Sequence, residues 1–524
     1  MNEKAHKELT KHAGVVAFFT TLSRFTGLAR DIVTANLFGA NAIMDAFNIA
    51  FTIPNTLRRF VAEGALTVAF IPVYTEVRKH EGLEAAKRFY SSVSGILMLT
   101  LLALVTLGIL GATGLVYAFA SGFAERPEQT ALTVSLTQWM FGYVFFISLV
   151  ALSMGVLNAH QHFTVPAASP ILLNLSMIAC AYGLYHYFEQ PVYSLAAGVM
   201  LGGVLQLAVQ LPVLAKYGLL LRPTLNINSE PVRKLLRLLL PSVFGIAIYQ
   251  INLMVLRQLG SYLPAGQITC YSMADRLMQL ALGIFAISIA TATLPAMSEQ
   301  TASKDDDSHE KLIHTWQFST RLTNFITIPA AFGLMLIGLP IVSVLFYHGA
   351  FDWNDTMLTA YATIAFAPGL ITVAFSRTTV QAFYALKDMK TPVAIAGVVL
   401  VVNLALGLAL LRFQVAGLAL SLTLSSFVQT ALLLFFLHRK IGNLESSKLL
   451  RSMAKQTILA LSMGLVAWGI CHLGTWYHGP TWQNILTLGF AVLSGIVTYA
   501  ALSLVFKSSE AVLVKRMLVS KFLK

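Results

Sequence analysis

The stretch SSVSGILMLTLLALVTLGILGATGLVYAF, residues 91–119, contains no Asp, Glu, Lys or Arg and decides the fold class. About 20 apolar residues are enough for an α-helix to cross the hydrocarbon core of a bilayer. Similar runs recur through the 524 residues, of which 56% are hydrophobic and 11% charged, with a mean hydropathy of +0.72. Soluble domains carry about 25% charged residues. This composition excludes a soluble enzyme, a disordered protein and a nucleic-acid-binding protein, and it predicts a polytopic helical membrane protein.

A window of about 20 residues predicts fourteen transmembrane helices along the chain. Their approximate limits are 13–38, 43–75, 91–119, 131–157, 165–188, 191–215, 235–262, 267–297, 313–346, 356–383, 391–411, 413–437, 453–474 and 482–506. The connections are short, so none of them could hold a soluble catalytic domain. Because the first apolar run is too long for the core of a cleavable signal peptide, we expect it to stay in the membrane as the first span.

Lysine and arginine are distributed unevenly between the two sets of loops. The loops on the side of the N terminus hold most of the 36 Lys and Arg residues, whereas the opposite loops hold only Arg126 and Arg412. By the positive-inside rule, both termini are expected to be cytoplasmic. The remaining cations are all Arg and fall inside predicted spans, at Arg24, Arg30, Arg58, Arg59, Arg257, Arg276, Arg321 and Arg377.

An internal repeat indicates how the spans are grouped. Two pairs of segments match at nearly the same offset, ALTVAFIPVYTE (65–76) with SIATATLPAMSE (288–299) and NAHQHFTVP (158–166) with YALKDMKTP (384–392). Six predicted spans separate the copies, so both copies have the same orientation, as in transporters built from two parallel repeats. We therefore expect two pseudo-symmetric six-helix lobes and an added helix pair with a basic tail, at residues 1–220, 221–440 and 441–524.

Charged side chains within the spans are the main functional signal. An Arg at the centre of a membrane costs about 2.5–3.5 kcal/mol, so these side chains are expected to face a hydrated interior. One stripe of span two carries Asp45, Asn48, Thr52, Asn55, Arg59 and Glu63, and Arg58 lies off this stripe. Arg outnumbers the carboxylates inside the spans, which favours a polyanionic substrate, because guanidinium groups suit phosphate and pyrophosphate. Salt bridges that only fix helix packing are the alternative explanation.

Further charges lie on span one, at Arg24, Arg30 and Asp31, and on span eight, at Asp275 and Arg276. There is no Gly-rich phosphate loop, so the chain is not expected to hydrolyse ATP. The three cysteines are far apart and lack metal-ligand spacing, and we expect neither a metal nor a cofactor. An ion-binding role for Asp388 stays open.

At these residues the chain resembles the MurJ (MviN) lipid II flippases of the multidrug/oligosaccharidyl-lipid/polysaccharide exporter superfamily. The likeness covers essentially the whole chain and is carried by SRFTGLARDIVTANLFGA (23–40), DAFNIAFTIPNTLRRFVAEGALTVAFIPVY (45–74), ADRLMQLALGIF (274–285) and YALKDMKTP (384–392). The resemblance implies transport of the undecaprenyl-pyrophosphate-linked peptidoglycan precursor, lipid II, from the inner to the outer leaflet of the bacterial cytoplasmic (inner) membrane. It implies alternating access and a role in cell-wall biogenesis and cell shape.

The resemblance also implies roles for single residues. Arg24, Arg30 and Arg58 would line the cavity that receives the pyrophosphate, and Asn55 and Arg59 are grouped with them as substrate-binding residues. Gating or charge relay is expected of Asp31, Asp45, Glu63, Asp275 and Arg276. Spans one and eight would form a lateral gate, and spans thirteen and fourteen a groove for the polyprenyl tail. Gln279 departs from the carboxylate that some members carry, which leaves a relay role there in doubt.

The expected partners are lipid II, membrane lipids and the cell-wall synthesis machinery, and no nucleic acid. Three alternatives remain at this point: an exporter of drugs or of another lipid-linked oligosaccharide, a membrane enzyme acting on polyprenyl phosphates, and a scaffold that binds lipid II without moving it. An exporter of cations would need an acidic cavity, and an enzyme would need carboxylates or His at a membrane face. Neither pattern occurs in this sequence, whereas the sequence leaves the scaffold open.

Overall fold

The computed structural model describes residues 3–59, 67–220, 222–302 and 308–512. Every regular element in these ranges is a helix, so the described chain contains no β-strand, and the all-α prediction is confirmed. The chain forms two compact units, Met1–Gly266 and Gln267–Lys524. The lobe boundaries predicted from the repeat, near residues 220 and 440, remain a prediction.

The described part of the first unit contains eleven α-helices. They are α1 (Glu3–Phe38), α2 (Ala42–Arg58), α3 (Thr67–His80), α4 (Leu83–Leu110), α5 (Ala112–Ala120), α6 (Pro127–Phe141), α7 (Tyr143–Ala159), α8 (Thr164–Gly183), α9 (Tyr193–Ala208), α10 (Leu211–Lys216) and α11 (Glu230–Gly260). Three predicted spans are each made of two consecutive helices, since α4 precedes α5, α6 precedes α7 and α9 precedes α10. Predicted span two contains α2 and α3, and residues 60–66 between them lie outside the described ranges.

In the second unit each predicted span corresponds to one helical stretch, of which α13 is kinked at Ile337. The helices are α12 (Gln267–Ala302), α13 (Ser308–Phe346), α14 (Trp353–Ala385), α15 (Lys390–Leu410), α16 (Gln414–Ile441), α17 (Ser446–Cys471) and α18 (Trp482–Val505). Within the described residues of the whole chain, nine helical stretches are long and apolar enough to span a membrane. The helices are compatible with fourteen spans, a number that remains a prediction.

The same turn occurs in both units at the positions where the sequence repeat was found. In the first unit Gln161 has a φ of 60°, and the N–H of His162 donates to the carbonyl of Leu157 at 2.9 Å. In the second unit Lys387 has a φ of 58°, and the N–H of Asp388 donates to the carbonyl of Phe383 at 2.9 Å. Non-glycine residues with positive φ are uncommon, and this bonding pattern is the Schellman motif that ends a helix. Matching geometry at matching positions supports a duplicated architecture.

Helix α2, which carries most of the predicted site, is held by its apolar face. Phe47 and Ala50 are buried and belong to one cluster with Met140 of α6 and Tyr143 of α7. The predicted apolar side of span two is therefore the side that packs, and Pro54, one turn after Ala50, is buried as well. Packing of this face leaves the opposite, polar face of α2 available for the site.

Candidate functional site

The polar face of α2 is only partly covered. Asn48, Thr52 and Asn55 are each half-buried, in contrast to the buried Phe47 and Ala50 of the apolar face. The Thr52 hydroxyl donates to the carbonyl of Asn48 at 2.7 Å, so the threonine satisfies its own hydroxyl within the helix. Asn48, Thr52 and Asn55 thus form a half-buried polar strip along α2.

The Arg58 guanidinium joins this strip at the end of α2. Its Nε donates to Oδ1 of Asn55 at 2.9 Å, one helical turn earlier. Arg59 is also half-buried, and its backbone N–H donates to the carbonyls of Asn55 and Thr56 at the end of the helix. The helical wheel placed Arg58 beside the stripe, and the long side chain reaches back to it. Glu63, the predicted partner of Arg59, lies outside the described residues.

A second charged cluster lies where α1 packs against α8. The Arg30 side chain is 9% exposed and that of Asp31 is 10% exposed. Nε and Nη2 of Arg30 donate to Oδ1 of Asp31 at 3.1 and 2.6 Å. Nη1 of Arg30 donates to Oδ1 of Asn174 on α8 at 3.1 Å. A buried cation is thus paired with a carboxylate and oriented by an amide, which offsets the free energy of removing it from water.

Asn174 also binds the α1 segment that precedes Arg30. Its Nδ2 donates to the carbonyl of Ser23 and to Oγ1 of Thr26, both at 3.2 Å. Arg24 lies between these two positions and is half-buried. The sequence analysis did not identify Asn174, although an isolated amide in the apolar segment of α8 was a usable signal, because buried polar side chains need partners.

Asp45 is buried, with 1% of its surface exposed. Its Oδ2 accepts a hydrogen bond from the backbone N–H of Gly266 at 2.7 Å. Nη2 of Arg126 binds the same connection and donates to the carbonyl of Leu263 at 2.8 Å. In this structure Asp45 therefore anchors the segment that follows α11, and its predicted gating role remains a proposal.

Asp275 and Arg276 lie on α12 in the second unit. Asp275 is half-buried, and both Arg276 and the neighbouring Gln279 are exposed. These exposures are compatible with the gating or charge-relay roles predicted for Asp275 and Arg276, and those roles remain predictions.

The Asp388 carboxylate, just before α15, is bound by hydrogen-bond donors of this chain. It accepts hydrogen bonds from the N–H and Oγ1 of Thr391, at 3.0 and 2.7 Å, and pairs with Nζ of Lys440 at 2.6 Å. Burial acts to raise its pKa, but the bonds from Lys440 and Thr391 outweigh burial and lower the pKa to about 2. The described residues contain no group of three or more His, Cys, Asp or Glu that could hold a metal ion.

Comparisons with known proteins agree with this arrangement of helices. The family model described as "Lipid II flippase MurJ" matches residues 34–509. A probable lipid II flippase MurJ of Vibrio cholerae is 34% identical over 510 residues, which covers 95% of this chain and 96% of the relative. A lipid II flippase MurJ of Burkholderia cenocepacia is 37% identical over 433 residues, which covers 82% of this chain and 83% of the relative.

Solved structures give the same result. A lipid II flippase MurJ in an inward closed conformation superposes with a TM-score of 0.78 and 26% identity, covering 94% of this chain and 98% of that one. An inward-facing multidrug resistance transporter of the MATE family has a TM-score of 0.65 at 15% identity, covering 82% and 99%, which shows a shared fold. The relatives are multi-pass membrane transporters rather than enzymes. This chain belongs to the lipid II flippase MurJ family.

Proposed function

We propose that this chain is a flippase that moves lipid II from the inner to the outer leaflet of the bacterial cytoplasmic membrane. The relatives that cover most of the chain are named as lipid II flippases. The observation that carries the proposal is the buried Arg30, whose guanidinium is oriented by hydrogen bonds to Asn174 and Asp31. A second guanidinium, Arg58, is oriented in the same unit by Asn55.

In this proposal, the arginines bind the pyrophosphate of the substrate. A guanidinium has five N–H donors in a planar fork, which matches phosphate oxygens. Arg30 uses Nε–H and one N–H of Nη2 for Asp31, and Nη1 donates to Asn174 and to Sδ of Met177, so Nη2 retains one further N–H for a ligand. The pyrophosphate carries more negative charge than Asp31 and competes with this carboxylate for Arg30. When the lipid leaves, Asp31 pairs with Arg30 again, so Asp31 lowers the free energy of release.

Transport by alternating access would follow from the repeat architecture. In that mechanism two related bundles rock around a central site, which opens first to the cytoplasm and then to the outside. An inside-negative membrane potential would favour outward movement of an anion by about 2.3 kcal/mol per charge per 100 mV. The uneven distribution of Lys and Arg between the loops supports a cytoplasmic location for both chain termini. The flipped lipid would then be available to the cell-wall synthesis machinery.

The polyprenyl tail would remain in lipid along α17 and α18. One stripe of α18, formed by Leu486, Phe490, Leu493 and Val497, exposes 62–68% of each side chain. The spacing of four, three and four residues places these side chains on one face of the helix. Such a continuous apolar face suits a hydrocarbon chain.

Purified protein in proteoliposomes with fluorescent lipid II tests the proposal directly. A membrane-impermeant quencher reports how much lipid has changed leaflet. We expect rapid exchange with the unmodified protein, and loss of exchange in Arg30→Ala and Arg58→Ala. Arg412→Ala is the matched control, because Arg412 lies in a short 3-10 helix outside the site. Its Cζ atom lies 4.8 Å from the centroid of the Phe413 ring. Lack of exchange by the unmodified protein, or full exchange by both site variants, would contradict the proposal.

A further inference from the structure

One carboxylate outside the arginine site collects hydrogen bonds from three parts of the second unit. Glu510 follows α18 and is 7% exposed. Its Oε1 accepts from Nε of Arg321 at 2.7 Å and from Oγ of Ser452 at 3.2 Å. Its Oε2 accepts from the hydroxyls of Ser508 and Ser509 at 2.7 and 3.1 Å. Each carboxylate oxygen of Glu510 therefore accepts two hydrogen bonds.

These donors belong to α13, α17 and the turn after α18. Arg321 lies on α13 and Ser452 on α17, so Glu510 joins the end of the α17–α18 pair to α13. Nζ of Lys455 on α17 donates to the carbonyl of Phe506 in the same turn. Gln456 on α17 donates to the carbonyl of Arg321 at 3.4 Å. The connection is thus a small network and not a single ion pair.

Burial distinguishes this pair from ordinary surface salt bridges. The Glu510 side chain is 8% exposed and that of Arg321 is 31% exposed. Burial acts to raise the pKa of Glu510, but bonds from Ser508, from its own backbone and from Arg321 hold the pKa below its ordinary value. Glu510 is therefore ionised at neutral pH. Removing one partner of such a pair leaves a buried charge without compensation.

Further contact between the helix pair and α13 is mostly apolar, with a hydrogen bond from the Tyr499 hydroxyl of α18 to the carbonyl of Phe325 at 3.0 Å. Leu459 and Met463 of α17 and Tyr499 of α18 pack on Ile328 of α13. Apolar contacts of this kind are not directional, so they tolerate sliding and rotation of one helix on another. Hydrogen bonds to a fixed carboxylate are directional. Glu510 therefore adds a charged, directional contact at the end of the helix pair, and together with the Tyr499 hydrogen bond it orients the exposed stripe of α18.

We propose that Glu510 is a positioning residue that fixes the α17–α18 pair on α13 and thereby sets the preference of the transporter for a long polyprenyl tail. The inference rests on the proposed function, in which this helix pair contacts the tail. Glu510 is not part of the arginine site that is proposed to bind the pyrophosphate head group. Loss of Glu510 is therefore expected to change recognition of the tail and to leave head-group transport intact.

The test compares two lipids with the same head group, one with an undecaprenyl chain and one with a farnesyl chain, in proteoliposomes. Glu510→Gln keeps the shape of the side chain and removes its charge. We expect its KM for the undecaprenyl lipid to rise about tenfold, in line with the loss of a hydrogen bond to a charged group. The kcat, and both constants for the farnesyl lipid, are expected to stay within about twofold of the unmodified protein.

Glu445→Gln is the matched control. Glu445 precedes α17, and its carboxylate pairs with Lys448 at 2.8 Å while remaining 36% exposed. This variant removes the same charge and should keep the tail preference. If Glu510→Gln cannot be purified, Ser452→Ala, which removes one neutral donor, is expected to raise the KM for the undecaprenyl lipid about threefold.

The outcomes separate the inference from the proposed function. An unchanged ratio of the two KM values in both Glu510→Gln and Ser452→Ala overturns the inference, as does an equal loss of transport for both lipids. Failure of the unmodified protein to move either lipid refutes the proposed function itself. The double variant of Glu510→Gln with Arg321→Gln should resemble either single variant, because both substitutions break the same contact.

Discussion

Asn174 joins α8 to α1, and replacing it with Leu tests whether this contact holds Arg30 in place. Leucine has a similar volume, so the substitution removes the polar contacts without opening a large cavity. The hydrogen bond from Arg30 has a charged donor and contributes about 1.5–3 kcal/mol, whereas those to Ser23 and Thr26 are neutral and contribute about 0.5–1.5 kcal/mol each. Burial of the added apolar surface offsets part of the loss. We expect Asn174→Leu to lower the free energy of unfolding by about 2–3 kcal/mol.

A double-mutant cycle gives the part of this loss that involves Arg30. Unfolding of the purified protein in mixed micelles is measured for Asn174→Leu, for Arg30→Ala and for both together. Because the two side chains share a hydrogen bond at 3.1 Å, the two losses should not add, with a coupling free energy of about 1.5–3 kcal/mol. Ser176→Ala is the control on the same helix, since Ser176 bonds to the carbonyls of Leu173 and Gly198. Losses that add to within about 0.5 kcal/mol would refute the contact.

Three further predictions concern the ends of helices. Gly266→Ala should lower the free energy of unfolding by more than about 1 kcal/mol, because Gly266 has a φ of +89° and an added Cβ would overlap the carbonyl oxygen of Ala40. Gly114→Ala is the control, since its added Cβ meets open space within α5 and should not lower stability; equal losses in thermal melts would contradict this. Asp45→Ala removes the acceptor of the Gly266 N–H and should cost about 1–3 kcal/mol in the same melts, and a neutral effect would argue against the anchor. The pKa of Asp388 is lowered from 3.8 to about 2, so its contribution to stability is present above pH 4 and lost as the pH falls toward 2. Melting temperatures across this range should fall less in Asp388→Asn, which no longer pairs with Lys440, and parallel curves would contradict the assignment.

The sequence predicted the helices and the polar face of α2, because both depend on local spacing. Asn48, Thr52 and Asn55 are spaced at helical intervals, so any regular helix places them on one face. Breaks within spans were less predictable. A continuous span 91–119 was expected, whereas α4 ends at Leu110 and α5 begins at Ala112. A window that averages hydropathy does not detect where a helix ends.

The partners of the charged residues could not be predicted from spacing. Neighbouring residues in a helix do not normally face each other, yet Arg30 folds back onto the adjacent Asp31. Asn174 is 144 positions from Arg30, and Gly266 is 221 positions from Asp45. Such contacts depend on which helices become neighbours in the folded chain. The surplus of Arg in the spans was visible in the sequence, but the amides that orient these side chains were not.

The nature of each partner decides what an arginine can do next. Asp31 compensates the charge of Arg30, so a phosphate must displace a carboxylate to gain the full attraction of this guanidinium. An incoming pyrophosphate should therefore engage Arg30 only as Asp31 yields. By this reasoning Asp31→Asn should bind the substrate more tightly and release it more slowly, because the competing carboxylate that assists release is gone.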